Sequence, residues 1–191
     1  MSGHGFHVHG PHDHELEHAA QHEPEGMAGQ LAVITAILAT FGALYSYQGG
    51  ATQAAAGLYK NDAAIKKTEA SNQWNYYQAK SSKQNLAELA MALVPEDRKA
   101  TYKDEVERYK KEKAEIKAGA EKLEAEAKAW DDRSEQEMHQ HHRWAQATTA
   151  LQISIALAAI ALLTRRKWLE YGMFGVAGIG VVLGAAAALH L

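Results

Sequence analysis

The 191-residue chain has no cysteine and three prolines, of which only Pro95 lies after residue 26. Without cysteine there is no disulfide, no thiol nucleophile and no thiolate-bound zinc, and the redox compartment stays open. Basic excess is also missing: the formal net charge is −3, so no cationic surface points to nucleic acid. The motifs that organise common enzyme sites are absent as well, with no nucleophile elbow, phosphate-binding glycine loop or helical metalloprotease motif. Ser and His occur, but nothing arranges them for catalysis, and a non-enzymatic protein is expected.

The most informative absence is local. Residues 27–47, 144–163 and 171–191 contain no Asp, Glu, Lys or Arg. Each run is about 20 residues, the length a helix needs to cross a hydrocarbon core of about 30 Å. The 47% hydrophobic fraction is therefore gathered into blocks, and three membrane spans are expected at 27–48, 144–164 and 168–191. The first is read as a span and not as a cleaved signal, because its leader has no basic segment and the apolar run is too long. Tyr45, Tyr47, Trp144, Trp168 and Tyr171 stand at the span ends, where amphipathic rings favour the headgroup layer. The short basic loop Arg165-Arg166-Lys167 belongs on the cytoplasmic side of a bacterial inner membrane. That puts the N-terminal tail, residues 1–26, in the cytoplasm and the segment 49–143 in the periplasm.

Segment 49–143 holds 17 of the 20 Lys and Arg and 17 of the 23 Asp and Glu, so it stays in water. Apolar residues recur there in steps of seven: Leu58, Ile65, Ala79, Leu86 and Leu93, interrupted by Asn72. Pro95, followed by Glu96 and Asp97, breaks the pattern and predicts a turn. A second heptad series returns through Tyr102, Tyr109, Ile116, Leu123 and Trp130, with Val106, Ala120 and Ala127 as its companion row and Lys113 as a polar exception. Sustained seven-residue repeats predict a coiled coil. The expected fold is thus all-α, three transmembrane helices with a long antiparallel coiled-coil hairpin between the first and second. Both arms should run on into the spans, with Gly49 and Gly50 softening the first junction. Two isolated long helices bury little apolar surface, so self-association is expected.

The segment Ala70-Ser-Asn-Gln-Trp-Asn-Tyr-Tyr-Gln-Ala-Lys80-Ser-Ser-Lys, residues 70–83, resembles the signature of a bacterial membrane family catalogued as domain of unknown function 4337. The order of parts is similar too: a His-rich acidic leader, one span, this segment on a helix, a Lys/Glu-rich return helix and two C-terminal spans. The resemblance implies the architecture and transfers no catalytic residue. Physically, Trp74 and Tyr77 are three apart and share a helix face, whereas Tyr76 points elsewhere. Aromatic packing against the return arm or a sister subunit is the plainer account of this cluster. A binding patch completed by Gln78, Lys80 and Lys83 is the alternative.

Seven of the eleven histidines fall in residues 1–22. Were the part after Pro11 helical, His14, His18 and His22 would lie on one side, offering donors suited to Zn²⁺, Ni²⁺ or Cu²⁺. No cofactor is firmly implied. His139, His141 and His142 form a second group before the second span, on the opposite membrane face, together with His190.

Inside the spans no ionisable residue marks an ion pathway or proton relay. Gln146, Thr148, Thr149, Gln152 and Ser154 in the second span suit interhelical hydrogen bonds or a polar pore lining. Gly172, Gly175, Gly178, Gly180 and Gly184 in the third span predict close helix contacts. The expected function is a homo-oligomeric membrane scaffold or accessory subunit, in contact with the lipid bilayer and with a larger membrane complex. An oligomeric channel and a metal-binding or metal-sensing protein are the alternatives.

Overall fold

The computed structural model describes residues 27–190, with the side chains of 28–190. Among these residues there are three helices and no strand: α1 (Met27–Leu93), α2 (Glu96–Thr164) and α3 (Lys167–Ala188). Each is long and apolar enough over part of its length to cross a membrane. The residues favour helix locally, since Ala, Leu, Lys, Glu and Gln dominate and β-branched residues are sparse outside the apolar runs. Lys66–Glu69, Lys99–Glu96, Lys110–Glu107 and Lys128–Asp132 add ion pairs at three- and four-residue spacing.

The helix boundaries have local causes. α1 stops at Leu93, before Val94 and Pro95, and the Pro95 carbonyl then accepts the Arg98 N–H at 3.1 Å. Glu96 and Asp97 open α2 where the helix dipole favours negative charge. Between α2 and α3 only Arg165 and Arg166 are outside helix, because Lys167 and Trp168 already belong to α3. This turn is tight enough to hold Arg165 at φ 49, a left-handed conformation uncommon for a residue with a side chain. Gly49 and Gly50 lie within α1, which continues through both.

The chain divides into two compact units. One contains the described residues up to Ala54 and those from Glu137 onward. Its core is layered, with one residue from each helix at each level: Leu31, Ala158 and Met173 in one layer, Leu38, Leu151 and Ala177 in the next. Ser154 is fully buried and donates its hydroxyl to the Met173 carbonyl at 2.9 Å. Val33, Ile37, Leu163, Phe174 and Val182 face outward.

The other unit is Ala55–Gln136. Positions rising along α1 meet positions falling along α2: Ala56 with Ser134, Lys60 with Asp131, Lys66 with Glu126 and Lys80 with Glu112. The inward row of α1 is not the Leu58 series. Leu58, Ile65, Leu86 and Leu93 are 65, 54, 65 and 77% exposed, whereas Ala56, Ala63, Ala70 and Ala87 are buried. On α2, Val106, Ala120 and Ala127 are buried, flanked by the partly covered Tyr102, Tyr109, Ile116, Leu123 and Trp130. The correction has a simple cause: a seven-residue period establishes that a stripe exists, and α1 carries two stripes with the same period. The alanine stripe faces α2 because small side chains let backbones approach closely, so that flanking rings and charged stems can close over the seam.

Candidate functional site

In the segment 70–83, Trp74, Tyr77 and Lys80 lie on the side that contacts α2. The Trp74 indole N–H donates to Glu124 Oε1 at 2.8 Å, and the Tyr77 ring lies edge-on to Trp74 with centroids 5.6 Å apart. Tyr77 in turn sits under the Lys113 ammonium at 4.9 Å, and Lys113 donates to Gln84 Oε1 at 3.2 Å. Lys80 donates to Glu112 at 2.5 Å and lies 5.2 and 5.6 Å from the rings of Tyr76 and Tyr109. Only 14% of the Lys80 side chain is exposed. Its pKa is raised, first by the hydrogen bond to Glu112 and then by Tyr76, with desolvation opposing. Glu112 is lowered, first by that same hydrogen bond. Of Gln78, Lys80 and Lys83, Lys80 is committed to Glu112, while Gln78 and Lys83 remain exposed.

Further along the same seam the Tyr59 and Trp130 rings pack at 5.6 Å, and Lys60 reaches Asp131. Lys60 is raised in pKa by that hydrogen bond and charge. These aromatic and ionic contacts border the alanine row and not the leucine row. Ala56, Ala63 and Ala70 themselves recur every seven residues and would have signalled it.

In the first unit the glycines fall into two groups. Gly180 and Gly184 are buried: a side chain at Gly180 would meet Leu151, and one at Gly184 would meet the Tyr45 ring. Gly172, Gly175 and Gly178 face open space. Gly49, missed as a packing position, lies against Trp144 with a hypothetical Cβ 3.3 Å from the Trp144 Cβ, and its carbonyl is 2.8 Å from His141 Nδ1. Tyr45 packs on Trp144 at 5.3 Å, so Tyr45, Gly49, Trp144 and Gly184 form one closely fitted level.

The second histidine group is placed in part by this level. His141 is held by the Gly49 carbonyl, and His190 Nδ1 is 2.9 Å from Gln140 Nε2. Among the described residues no three His, Asp or Glu side chains come together in a way that could hold a metal ion. His14, His18 and His22 lie outside the described residues.

The polar residues between positions 146 and 154 of α2 separate by face. Thr148 and Thr149 donate to carbonyls of their own helix, those of Trp144 and Ala145, both at 2.8 Å. Ser154 points inward to α3, whereas Gln146 and Gln152 are exposed. No curated protein and no solved structure matches the chain. The family model described as Domain of unknown function (DUF4337) matches residues 27–190, and the chain belongs to that family.

Proposed function

We propose that this protein is a non-enzymatic membrane scaffold or accessory subunit, in which three spans anchor an antiparallel coiled-coil hairpin that self-associates. The observation that carries it is the partition of charge. Three uncharged runs of bilayer length flank a segment rich in both signs, whose two helices join by alanines, rings and ion pairs. An element of this kind offers surface, and surface suits assembly. The basic turn at Arg165, Arg166 and Lys167 supports a cytoplasmic position for that turn and for the N-terminal tail, with the hairpin in the periplasm of a bacterial inner membrane. Carbonate washing of native membranes followed by native electrophoresis of the extracted particle tests the reading. Retention in the pellet and a species larger than one chain are expected; release into the wash, or a monomer at every protein level, overturns it.

A second reading is favoured by Gln146, Thr149 and Gln152, which lie on the outer face of the second span and would line a space between copies. It predicts ion conductance in a reconstituted bilayer that Gln152→Leu reduces. Scaffolding alone predicts none.

A further inference from the structure

Between Ala55 and Leu93, helix α1 has eight charged residues, and all eight fall on or beside the side that faces α2. The opposite side consists of three rows that recur every seven residues, beginning at Gly57, Leu58 and Asn61 and ending at Leu93. These rows contain seventeen positions, every one of them exposed, and none is Asp, Glu, Lys or Arg. An ordinary solvated face of that size would carry about four to six charges. The α2 helix has the ordinary kind of outer face, with Lys111, Glu115, Lys117 and Glu121 exposed. One edge row of this face contains Leu58, Ile65, Leu86 and Leu93, all more than half exposed, and the middle row, Asn61, Thr68, Asn75, Ser82 and Leu89, is polar except for Leu89, which is 57% exposed. Five heptads of it extend about 50 Å along the helix.

We propose that this charge-free face of α1 is the surface on which a second copy of the same chain packs, parallel and in register. The proposal rests on the membrane-anchored, self-associating reading above and specifies its interface. Three features point to a second copy. A face without charge has nothing with which to select a charged partner, yet it can meet itself without opposing like charges. One flanking row, Gly57, Ala64, Ser71, Gln78, Asn85 and Ala92, is also uncharged, so it can lie against the opposite flank of a sister helix, which carries Asp62, Glu69 and Lys83, without repulsion. Copies anchored in one bilayer by the same spans share one topology, which makes the pairing parallel. In-register pairing then sets Asn72 opposite Asn72, a polar pair in an otherwise apolar row of the kind that specifies register in parallel coiled coils.

The absence of native cysteine allows a direct test in the full chain in native membranes, using single Leu58→Cys and Leu86→Cys variants and a short thiol-specific cross-linker. Lys111→Cys and Ala125→Cys, on exposed positions of α2, serve as controls. Dimer yield several-fold above the controls is expected at both Leu58 and Leu86, because only a parallel arrangement brings both ends of a face to their own counterparts. Adding Ala79→Glu should abolish the Leu86→Cys dimer while leaving helix content unchanged, since it opposes two like charges in the seam. Face and control positions cross-linking equally would overturn the proposal. Amine-specific cross-linking of the unmodified protein separates the two levels of failure: oligomers there, without dimers through Leu58 and Leu86, sink the face and leave self-association standing. Monomers in both experiments sink both.

Discussion

Ser134 and Ala56, 78 residues apart in the chain, are joined by a buried hydrogen bond of 2.8 Å from the serine hydroxyl to the alanine carbonyl. The bond continues a seam in which small residues from α1 and α2 face each other, Ala63 and Ala70 on one helix and Ala120 and Ala127 on the other. Ser134→Ala keeps the small volume and removes the bond. It should cost about 1 kcal/mol, read as a lower thermal midpoint of the detergent-extracted full chain by circular dichroism.

Volume in this seam should matter more than polarity. Ala120, with no exposed surface, has no room for added methylenes, so Ala120→Leu must push α1 and α2 apart or force its neighbours off their rotamers. A loss of about 1–3 kcal/mol is expected by the same measurement. Leu58→Ala, on the exposed row of the same hairpin, should change the midpoint of a dilute monomer by much less, within about 0.5 kcal/mol.

The Lys80–Glu112 pair gives stability a defined pH window. The Glu112 pKa is lowered from its usual 4.5, so its contribution is present above that value and is lost as pH falls through the lowered one. Lys80 is raised from 10.5, so its contribution is complete below that value and is lost as pH rises through the raised one. Glu112→Gln should therefore lower the thermal midpoint at neutral pH and converge with the wild type in strong acid. Parallel melting curves with an unchanged gap from neutral to acidic pH would refute this assignment.

Gly184 is the point at which α3 accommodates the Tyr45 ring. Gly184→Leu should displace that ring from its place against Trp144 and destabilise the first unit by about 1–3 kcal/mol, visible as a change in tryptophan emission and a lower midpoint. Gly178→Leu, at a position that faces open space, should leave both unchanged.

Ser154 tests how much a polar contact contributes between α2 and α3. Ser154→Ala removes its 2.9 Å bond to the Met173 carbonyl. The expected loss is only about 0.6 kcal/mol, with a ceiling of about 1.7, as for other interhelical hydrogen bonds in membranes. Unfolding of the reconstituted protein in mixed micelles measures it.

Much of the architecture is legible in the residues alone, for reasons that are local. Three uncharged runs, one proline followed by two acids at Pro95, and heptad spacing on the return helix require no knowledge of partners, and the helices begin and end close to where these signals stand. Membership of the family, shown over residues 27–190, is equally a matter of sequence.

Which stripe meets which was a different kind of question. Leucine and alanine stripes share the seven-residue period on α1, and spacing carries no information about phase; only the packing of α2 against Ala56, Ala63 and Ala70 decided it, leaving the leucines outside. Likewise five glycines in α3 read alike, and contact with Leu151 and Tyr45 separated Gly180 and Gly184 from the rest. Periodicity and charge are properties of one segment, whereas close approach is a property of two, and it exists only once both helices are in place.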